Sequence, residues 1–376
     1  MTTPVRIGII GVGQIGKMHL DRYQAIPGAE IVAVCDVNDA EARRVGEAYH
    51  VPHVYDDFRK LLERDDLDAV DVCLHNNYHA PATIEALRSG KHVYCEKPIA
   101  GSYADGASMV AEAKAAGKLL HVQLGTLFRK ETKAAKTLID GGQLGRPYHA
   151  RSTGFRRRNR PFVDGYGTPT FVRKDTAGGG ALLDMGVYHI AQILYLLGNP
   201  EAERISGKLH QEMDMAAERR ESSGFDVEEL AAGFVRLAGG VSFDIIEAWS
   251  AHAGGFEGSS ILGSQGGIRL PTESGPSGGT PFSFHSTLCD IDMDSTVDLD
   301  QMDLRRHRLH PNEDAYDSSQ HHWIAALQGR VELLPTADIA LGTMLISEGI
   351  YLSDRLGREV SADEVRAMSA STAARL

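Results

Sequence analysis

Short apolar runs alternate with helix-like stretches through the first third of this sequence. The apolar runs predict β-strands at Arg6–Ile10, Ile31–Cys35, Ala69–Leu74, His92–Cys95 and Leu119–Leu124. The stretches between them predict helices at Asp39–Tyr49, Asp57–Arg64, Ala80–Ser89 and Tyr103–Ala116. Gly90 and Gly117 stand where glycine often follows a helix end. This alternation predicts an α/β domain, a doubly wound parallel sheet with helices on both faces.

The pattern changes after about Gly125. Strand-like runs are found at Pro147–Phe155, Val227–Leu237, Val241–Trp249, Ser260–Leu262 and Ile268–Leu270. Helices are predicted at Glu131–Asp140, Ala181–Leu197, Ser318–Gln328 and Ile339–Leu356. Gly239-Gly240 indicates a hairpin, whereas the weak periodicity from about Pro271 to Pro311 predicts long loops or irregular strands. Segregated strands and helices predict an α+β domain with a large, mostly antiparallel open sheet.

Length and composition fit two folded domains. At 376 residues the chain is too long for one ordinary hydrophobic core. We therefore expect one domain at residues 1–125 and a second at 126–376. The C-terminal helix of the second domain could pack back on the first. A hydrophobic content of 42% is typical of a globular protein. The net charge of -12 argues against a nucleic-acid partner.

The expected compartment is the cytoplasm. Three of the four cysteines lie in strand-like runs and none forms a CxxC pair, which favours a reducing environment. Met1-Thr2-Thr3-Pro4 leads directly into the first strand, so we expect no signal peptide. No apolar run has the length of a membrane span, so no membrane partner is expected.

A glycine-rich turn, Gly11-Val12-Gly13-Gln14-Ile15-Gly16, lies between the first strand and a helix that ends near Pro27-Gly28. In a dinucleotide-binding turn, one glycine makes the bend, one lets the backbone approach a pyrophosphate, and one allows close helix packing. Asp36 follows the second strand, where its carboxylate can accept from ribose hydroxyls and repel a 2′-phosphate. We therefore predict NAD rather than NADP, although the Arg43-Arg44 pair could soften that preference. The predicted cofactor-binding residues here are Gly11, Gly13, Gln14, Ile15, Gly16 and Asp36.

Glu96-Lys97-Pro98 follows the strand His92–Cys95, at the sheet edge where doubly wound folds bind ligands. Lys97 could hydrogen-bond a substrate hydroxyl as a cation or, without its proton, act as a base. Pro98 could direct the chain through a cis bond. The alternative is an ordinary Lys-Pro surface turn.

A second group of polar residues follows the triple glycine Gly178-Gly179-Gly180. Asp184 and Tyr188 are four residues apart, which places them on one face of a helix. His189 is turned about 100° away from Tyr188 around the helix axis and need not face the same site. An acid, a phenol and an imidazole near a helix start could bind a polyol and move its proton. Helix-dipole stabilisation and core packing are the structural alternatives.

The basic stretch from Gly154 to Tyr166 precedes the triple glycine. Phe155 and Tyr166 could stack on a sugar ring, and Arg156 and Arg158 could hydrogen-bond its hydroxyls. A solvated basic loop or a subunit-interface strand is the alternative. Histidines at 307, 310, 321 and 322 have no carboxylate or cysteine at metal-ligand spacing, so no metal is predicted.

Taken in order, GxGxxG, Asp36, Glu96-Lys97-Pro98 and GGG-x₃-Asp-x-Gly resemble the Gfo/Idh/MocA family of NAD(P)-dependent sugar and polyol oxidoreductases. The resemblance covers nearly the whole chain. It implies an N-terminal Rossmann domain followed by an α+β domain with an open sheet.

The resemblance also implies roles for individual residues. Lys97 matches the family's catalytic lysine and Asp184 its substrate-binding acid. The segment Asn76-Asn77-Tyr78-His79 resembles the family's Pro-Asn-x-x-His, with His75 in place of proline. This segment lies near the nicotinamide in relatives. The cofactor-binding residues that the resemblance adds are His75, Asn76, His79, Glu96 and Lys97.

One position departs from the commoner family pattern. Many members carry histidine four residues after the acid and use it as the catalytic base, whereas Tyr188 stands there in this chain. Some relatives carry tyrosine at that place. We therefore assign proton transfer to Tyr188 with help from Lys97, and keep His189 as the rival.

These residues predict an NAD-dependent dehydrogenase that oxidises a secondary ring hydroxyl of a sugar, glycoside or cyclitol, with C3 suggested by the resemblance. The predicted substrate contacts are Lys97, Phe155, Arg156, Arg158, Tyr166, Asp184, Tyr188 and His189. Two alternatives remain: an NAD-dependent glycosidase that recycles its cofactor through oxidation and elimination, and a non-catalytic NAD-binding regulator. An open sheet favours a homodimer or homotetramer.

Overall fold

The structure is a computed structural model that describes residues 3–272 and 279–375. The β-strands of these residues are β1 Val5–Ile10, β2 Ala29–Cys35, β3 His53–Tyr55, β4 Ala69–Val72, β5 His92–Cys95, β6 Leu120–Val122, β7 Pro147–Phe155, β8 Ala202–His210, β9 Leu230–Leu237, β10 Val241–Ala248, β11 Ser260–Gly263, β12 Gly266–Arg269, β13 Ser283–Leu288, β14 Ile291–Thr296 and β15 Val360–Ser361.

The α-helices of the same residues are α1 Gln14–Gln24, α2 Asp39–Ala48, α3 Phe58–Leu62, α4 Asn76–Arg88, α5 Tyr103–Ala116, α6 Lys130–Asp140, α7 Lys174–Ala177, α8 Val187–Leu196, α9 Ala217–Ser223, α10 Leu299–Leu309, α11 Ser319–Leu327, α12 Thr336–Leu356 and α13 Ala362–Met368. A π-helical segment, Leu182–Gly186, leads directly into α8. No helix in the described part of the chain is long and apolar enough to cross a bilayer.

The chain divides into two compact units. The first comprises Met1–Leu124, His310–Asp338 and Ser371–Leu376, and the second comprises Gly125–Leu309 and Ile339–Ala370. The sequence pattern predicts a single domain for everything after residue 125. In the structure, Trp323 of α11 lies within the buried core of the first unit.

The first unit is built on a parallel sheet in the order β3-β2-β1-β4-β5-β6. This is the strand order of a doubly wound dinucleotide-binding fold, whose strand order reverses between β1 and β4. Strand β4 is buried along its whole length, as expected for a parallel strand with helices on both faces. The turns after β1, β4 and β5 therefore lie at the carboxyl edge of the sheet, where such folds bind ligands.

The second unit is built on a mostly antiparallel sheet in the order β14-β13-β12-β11-β7-β10-β9-β8-β15. Strands β7 and β10 pair in parallel, and their neighbours pair antiparallel. Burial alternates along β10, because one face of the sheet is covered. Helix α12 packs closely on this face, since a Cβ at Gly207 or Gly233 would crowd Ile350.

The fold class predicted from the sequence is confirmed by these two sheets. The predicted ends of β5 and α5 match the structure, and Gly239 and Gly240 both have positive φ in the β9–β10 hairpin. Strands β3 and β8 were missed. The short β3 carries no buried residue, so no apolar run marked it.

The prediction of long loops or irregular strands from Pro271 to Pro311 was wrong where helix α10 forms, and it did not place the regular strands β13 and β14. Residues 273–278 of that prediction lie outside the described residues. Strand β14 is almost wholly exposed, and α10 buries none of its residues. Apolar periodicity arises from burial, so these exposed elements left no such pattern in the sequence.

Candidate active site

The glycine-rich turn after β1 has the backbone that a dinucleotide requires. Gly11 has a φ of +95°, and a Cβ there would overlap the carbonyl of Cys73. A Cβ at Gly16 would overlap the carbonyl oxygen of Gly11, so α1 approaches the strand closely. Gly13, by contrast, faces open space, and no side chain caps the N-terminus of α1. This turn therefore leaves backbone N–H groups and the positive end of a helix accessible to a phosphate group.

Asp36 is held at the end of β2 by two backbone groups. The N–H of Val12 donates to its Oδ2 at 2.9 Å, and the N–H of Asn38 donates to its Oδ1 at 2.9 Å. A carboxylate has about four acceptor sites, so both oxygens can still accept from a ribose diol. The glycine turn and Asp36 together fit the pyrophosphate and ribose of NAD.

Two arginines near Asp36 are paired within their own helix. Arg43 donates to Asp39 at 2.8 Å, and Arg44 donates to Glu41 at 2.7 Å. Both guanidinium groups are well exposed. A 2′-phosphate would compete with these carboxylates for the arginines and would also face the charge of Asp36.

The segment before α4 holds the next group of predicted cofactor ligands. Helix α4 begins at Asn76, and exposed His75 is its N-cap residue without a side-chain cap bond. His79 is fully buried, with Nδ1 2.7 Å from the carbonyl oxygen of Pro98 and Nε2 3.0 Å from that of Leu74. Burial lowers the pKa of His79. Its observed role is to join the end of β4 to the turn that follows β5.

That turn carries Lys97 on a buried acid. The Lys97–Pro98 peptide bond is cis, and the N–H of Lys97 donates to Oε2 of Glu96 at 3.0 Å. Glu96 is 4% exposed, and its Oε1 lies 2.8 Å from Nε2 of His19. Lys97 itself is half-buried at the carboxyl edge of the sheet. The structure thus places Glu96 as the support of the turn beneath Lys97.

In the second unit, the triple glycine positions the helix that carries Asp184. Glu228 accepts from the N–H of Gly180 at 2.9 Å and of Leu182 at 3.0 Å, and Tyr351 donates to it at 3.0 Å. Burial raises the pKa of Glu228 despite these bonds. A Cβ at Gly180 would overlap the carbonyl of Glu228. Glycine is therefore required because the chain passes directly against the residue that fixes the helix start.

The predicted single α-helix over Ala181–Leu197 was wrong for Leu182–Gly186, which is π-helical. A π-turn holds more residues than an α-turn, so the four-residue spacing does not place Asp184 and Tyr188 on one face across it. Asp184 and His189 consequently both reach strand β10 or the residue that follows it. π-Turns are frequent at functional sites.

Asp184 lies among donors. Nε1 of Trp249 donates to its Oδ2 at 3.0 Å, and Nη1 of Arg156 lies 3.4 Å from the same oxygen. Arg156 also donates to the hydroxyl of Tyr166, and its guanidinium lies over the Tyr166 ring. A carboxylate oxygen is an acceptor of the kind that a substrate hydroxyl needs.

His189 forms a dyad with Glu247. Its Nδ1 lies 3.0 Å from Oε2 of Glu247, and the hydroxyl of Ser152 donates to Oε1 of that carboxylate at 3.0 Å. Glu247 is fully buried, whereas the His189 side chain is 28% exposed. A Cβ at Gly154 would overlap both side chains, so glycine is needed there. A carboxylate on Nδ1 fixes the tautomer of an imidazole and leaves Nε2 as its second functional atom.

Tyr188 is half-buried at the start of α8. Its carbonyl oxygen accepts from the hydroxyl of Thr126 at 3.0 Å. This bond fixes the backbone of the residue to which the sequence analysis assigned proton transfer.

The residues of the basic stretch between Gly154 and Tyr166 have different surroundings. Arg160 is 1% exposed and bridges Asp164 at 3.0 Å and Glu229 at 3.1 Å, so it is a buried structural cation. Arg158 is largely exposed, with Asp164 3.6 Å away. The Phe155 ring packs edge-on against Phe256, with centroids 5.0 Å apart.

Several residues of this candidate site were not predicted from the sequence. Glu247 lies on the buried face of β10 with Val241, Phe243 and Ile245, and buried Trp249 directly follows that strand. An acid at the period-two position of an apolar face was a usable signal, because buried carboxylates need a partner. Asp71 within the buried β4 gave the same signal. Nothing in the local sequence marked Glu228 or His19.

Two family models match the chain. Residues 5–124 match "Oxidoreductase family, NAD-binding Rossmann fold", and residues 132–269 match "GFO/IDH/MocA C-terminal domain". The chain belongs to the GFO/IDH/MocA family. Its first unit is accordingly an NAD-binding Rossmann domain, as the glycine turn and Asp36 indicated.

Two curated members of the family are similar over just over half of their length. D-glucoside 3-dehydrogenase of Escherichia coli (strain K12) is 32% identical over 213 residues, 56% of this chain and 59% of that protein. Myo-inositol 2-dehydrogenase of Thermotoga maritima is 32% identical over 199 residues, 53% of this chain and 57% of that protein.

A solved structure of levoglucosan dehydrogenase in complex with NADH shares the fold across nearly the whole chain. The TM-score is 0.78 at 20% identity, and the match covers 96% of this chain and 99% of that one. This likeness extends the shared fold beyond the regions that the curated relatives cover.

Proposed function

We propose that the protein is an NAD-dependent dehydrogenase that oxidises a secondary ring hydroxyl of a sugar, glycoside or cyclitol. The observation that carries the proposal is the polar group of the second unit. There Asp184, supported by Trp249 and Arg156, lies on the same side of the sheet as the His189–Glu247 dyad. Closely spaced acceptors and donors of this kind suit vicinal hydroxyls.

Bound NAD would supply the hydride acceptor. In the substrate, the ring carbon gives up its hydride as the hydroxyl oxygen loses its proton, and a ketone forms. Lys97 hydrogen-bonds the reacting oxygen, and Asp184 accepts from a neighbouring hydroxyl and fixes the orientation of the ring. Tyr188 takes the proton in this proposal, which rests on the resemblance to family members that carry their catalytic base, or a tyrosine, at this position of the motif.

His189 is the second candidate for the proton, and the Glu247 contact favours it. A buried carboxylate on Nδ1 orients the imidazole and stabilises the charge that it gains with a proton. A tyrosine must be ionised before it can accept a proton, whereas a neutral imidazole accepts one directly.

The proposed position of oxidation is C3 of a glycoside. Similarity to D-glucoside 3-dehydrogenase supports it, while similarity to myo-inositol 2-dehydrogenase supports a cyclitol. We also propose that the protein assembles as a homodimer or homotetramer and acts on a small molecule in the cytoplasm.

The test is the absorbance of NADH at 340 nm with purified protein, NAD or NADP, and a panel of sugars, glycosides and inositols. We expect NADH with one substrate class and faster turnover with NAD. Asp184→Asn should remove that turnover, and Asp175→Asn, which changes an exposed acid paired with Arg173, should keep it. Release of aglycone from a glycoside without net NADH would replace the proposal by the glycosidase. NAD binding without either reaction would favour the regulator.

A further inference from the structure

A buried histidine of the first unit lies between two carboxylates. His19, on α1, has Nδ1 2.8 Å from Oδ2 of Asp71 on β4 and Nε2 2.8 Å from Oε1 of Glu96 after β5. The side chains of His19 and Asp71 have no exposed surface, and that of Glu96 is 6% exposed. The family resemblance assigned no role to His19 or Asp71.

The two carboxylates favour the protonated form of His19. A neutral imidazole has one N–H and can donate to one carboxylate, whereas an imidazolium donates to both. Burial alone would lower the pKa of His19, but the charge of Asp71 and the hydrogen bonds at Nδ1 outweigh it, and the pKa lies well above its ordinary value. The pKa of Glu96 stays below its ordinary value because His19 outweighs the effect of burial.

The groups around the imidazole enclose it. Directly after β4, Sγ of Cys73 lies 3.3 Å from Nδ1, and on β5 the Tyr94 ring meets the imidazole edge-on at 5.6 Å between centroids. Burial raises the pKa of the Cys73 thiol and of Tyr94, so both stay neutral at physiological pH. The buried charges in contact with His19 are therefore the two carboxylates.

The cluster joins two functional segments. His19 lies on the helix that begins directly after the glycine turn, and Glu96 accepts from the N–H of Lys97 through its other oxygen. A shift of the imidazole would therefore move Glu96, and with it the backbone of Lys97. Charge-assisted hydrogen bonds in a buried site hold such an arrangement more firmly than neutral ones.

We propose that His19 is a positioning residue: through Glu96 it holds the turn that carries Lys97, and it links that turn to the nucleotide-binding helix α1. This inference rests on the proposed function, in which Lys97 contacts the substrate. Asp71 serves as the second anchor of the imidazole.

Two substitutions separate the two hydrogen bonds. The amide nitrogen of glutamine takes the place of Nε2, so His19→Gln keeps a donor toward Glu96 and loses the one toward Asp71. Asparagine reaches the place of Nδ1, so His19→Asn keeps the donor toward Asp71 and loses the one toward Glu96. Both variants remove the buried imidazolium, which makes each a matched control for the other.

The first readout is kinetic. We expect His19→Asn to lower kcat by about 10- to 100-fold, the effect of displacing a catalytic group by about an ångström, while the Kd for NAD changes by less than about threefold. His19→Gln should retain clearly more of the wild-type kcat at a similar melting temperature. Equal losses of kcat in both variants, in parallel with melting temperature, would show a merely structural role and overturn the proposal.

The second readout needs no substrate. In ¹⁵N-histidine-labelled wild-type protein we expect one imidazole with both nitrogens protonated at pH 8, and this signal should vanish in His19→Gln. A neutral His19, or stoichiometric zinc bound by His19, Asp71 and Cys73, whose ligand atoms lie close enough for a metal, would overturn the proposal. If no sugar is oxidised, the proposed function fails, while this spectrum still decides the charge of His19.

Discussion

Replacing Asp36 by asparagine tests the assignment of the cofactor. The change removes a negative charge but little volume, and it leaves one acceptor oxygen where the structure uses two. In the wild type, Val12 and Asn38 each donate a backbone N–H to a different carboxylate oxygen. The amide NH₂ of asparagine cannot accept, so one of these groups loses its partner and the ribose loses a charged acceptor.

The expected magnitude follows from that hydrogen bond. A hydrogen bond to a charged group contributes about 1.5–3 kcal/mol, and each 1.4 kcal/mol is about tenfold in affinity. We therefore expect Asp36→Asn to weaken NAD binding by about 10- to 100-fold. Binding of NADP should improve, because the charge that repels the 2′-phosphate is gone.

Isothermal titration of NAD and NADP into the protein without a sugar measures this directly. The matched control is Asp39→Asn, which removes an exposed acid paired with Arg43 on the next helix. We expect the control to bind NAD like the wild type. Unchanged NAD affinity in Asp36→Asn, or a wild type that prefers NADP, would refute the role given to Asp36.

Three further predictions concern the proton, the buried ion pairs and acid stability. Tyr188→Phe should lower kcat by at least about 100-fold with NAD binding intact, measured at 340 nm; if only His189→Ala does so, His189 moves the proton. Arg160→Met should lower the free energy of unfolding by about 3–5 kcal/mol in urea denaturation, since it removes the buried cation that lies between the carboxylates of Asp164 and Glu229. Arg158→Met at the exposed neighbour should cost less than about 1 kcal/mol, and equal effects of the two substitutions would contradict the burial argument. Burial lowers the pKa of His322 to about 4, below its unfolded value of about 6.5, so the unfolded state binds more protons between these values. The free energy of unfolding should fall as the pH falls from 6.5 to 4, by up to about 3 kcal/mol from this group. The variant His322→Gln keeps an acceptor for the N–H of Leu334 in its amide oxygen, and it should flatten the slope of melting temperature against pH. An unchanged slope would exclude His322 as its source.

Buried regular elements were predictable from the sequence because their apolar positions repeat with the period of the element. Strand β5 and helix α5 were found at their observed ends, and the fold class followed from the alternation. Exposed elements such as β14 and α10 were missed for the opposite reason, since no core contact selects apolar residues in them.

The candidate site was only partly predictable. Lys97 and Asp184 stand in recognisable motifs, but their supports, His19 and Trp249, come from distant positions in the chain. The π-turn at Leu182–Gly186 changed which residues share a direction, and no simple residue pattern predicts it. Glu247 could have been found, because it interrupts the apolar face of β10.

The most direct test of the central claim follows a labelled hydride. Wild-type protein is incubated with NAD and a sugar or cyclitol that carries deuterium on its ring carbons, and the cofactor is analysed by mass spectrometry. We expect NADH that is one mass unit heavier than unlabelled NADH. The NADH should still carry the label when only C3 of the substrate is deuterated. Unlabelled NADH, or no reduction of NAD with any member of the panel, would contradict hydride transfer from a ring hydroxyl carbon.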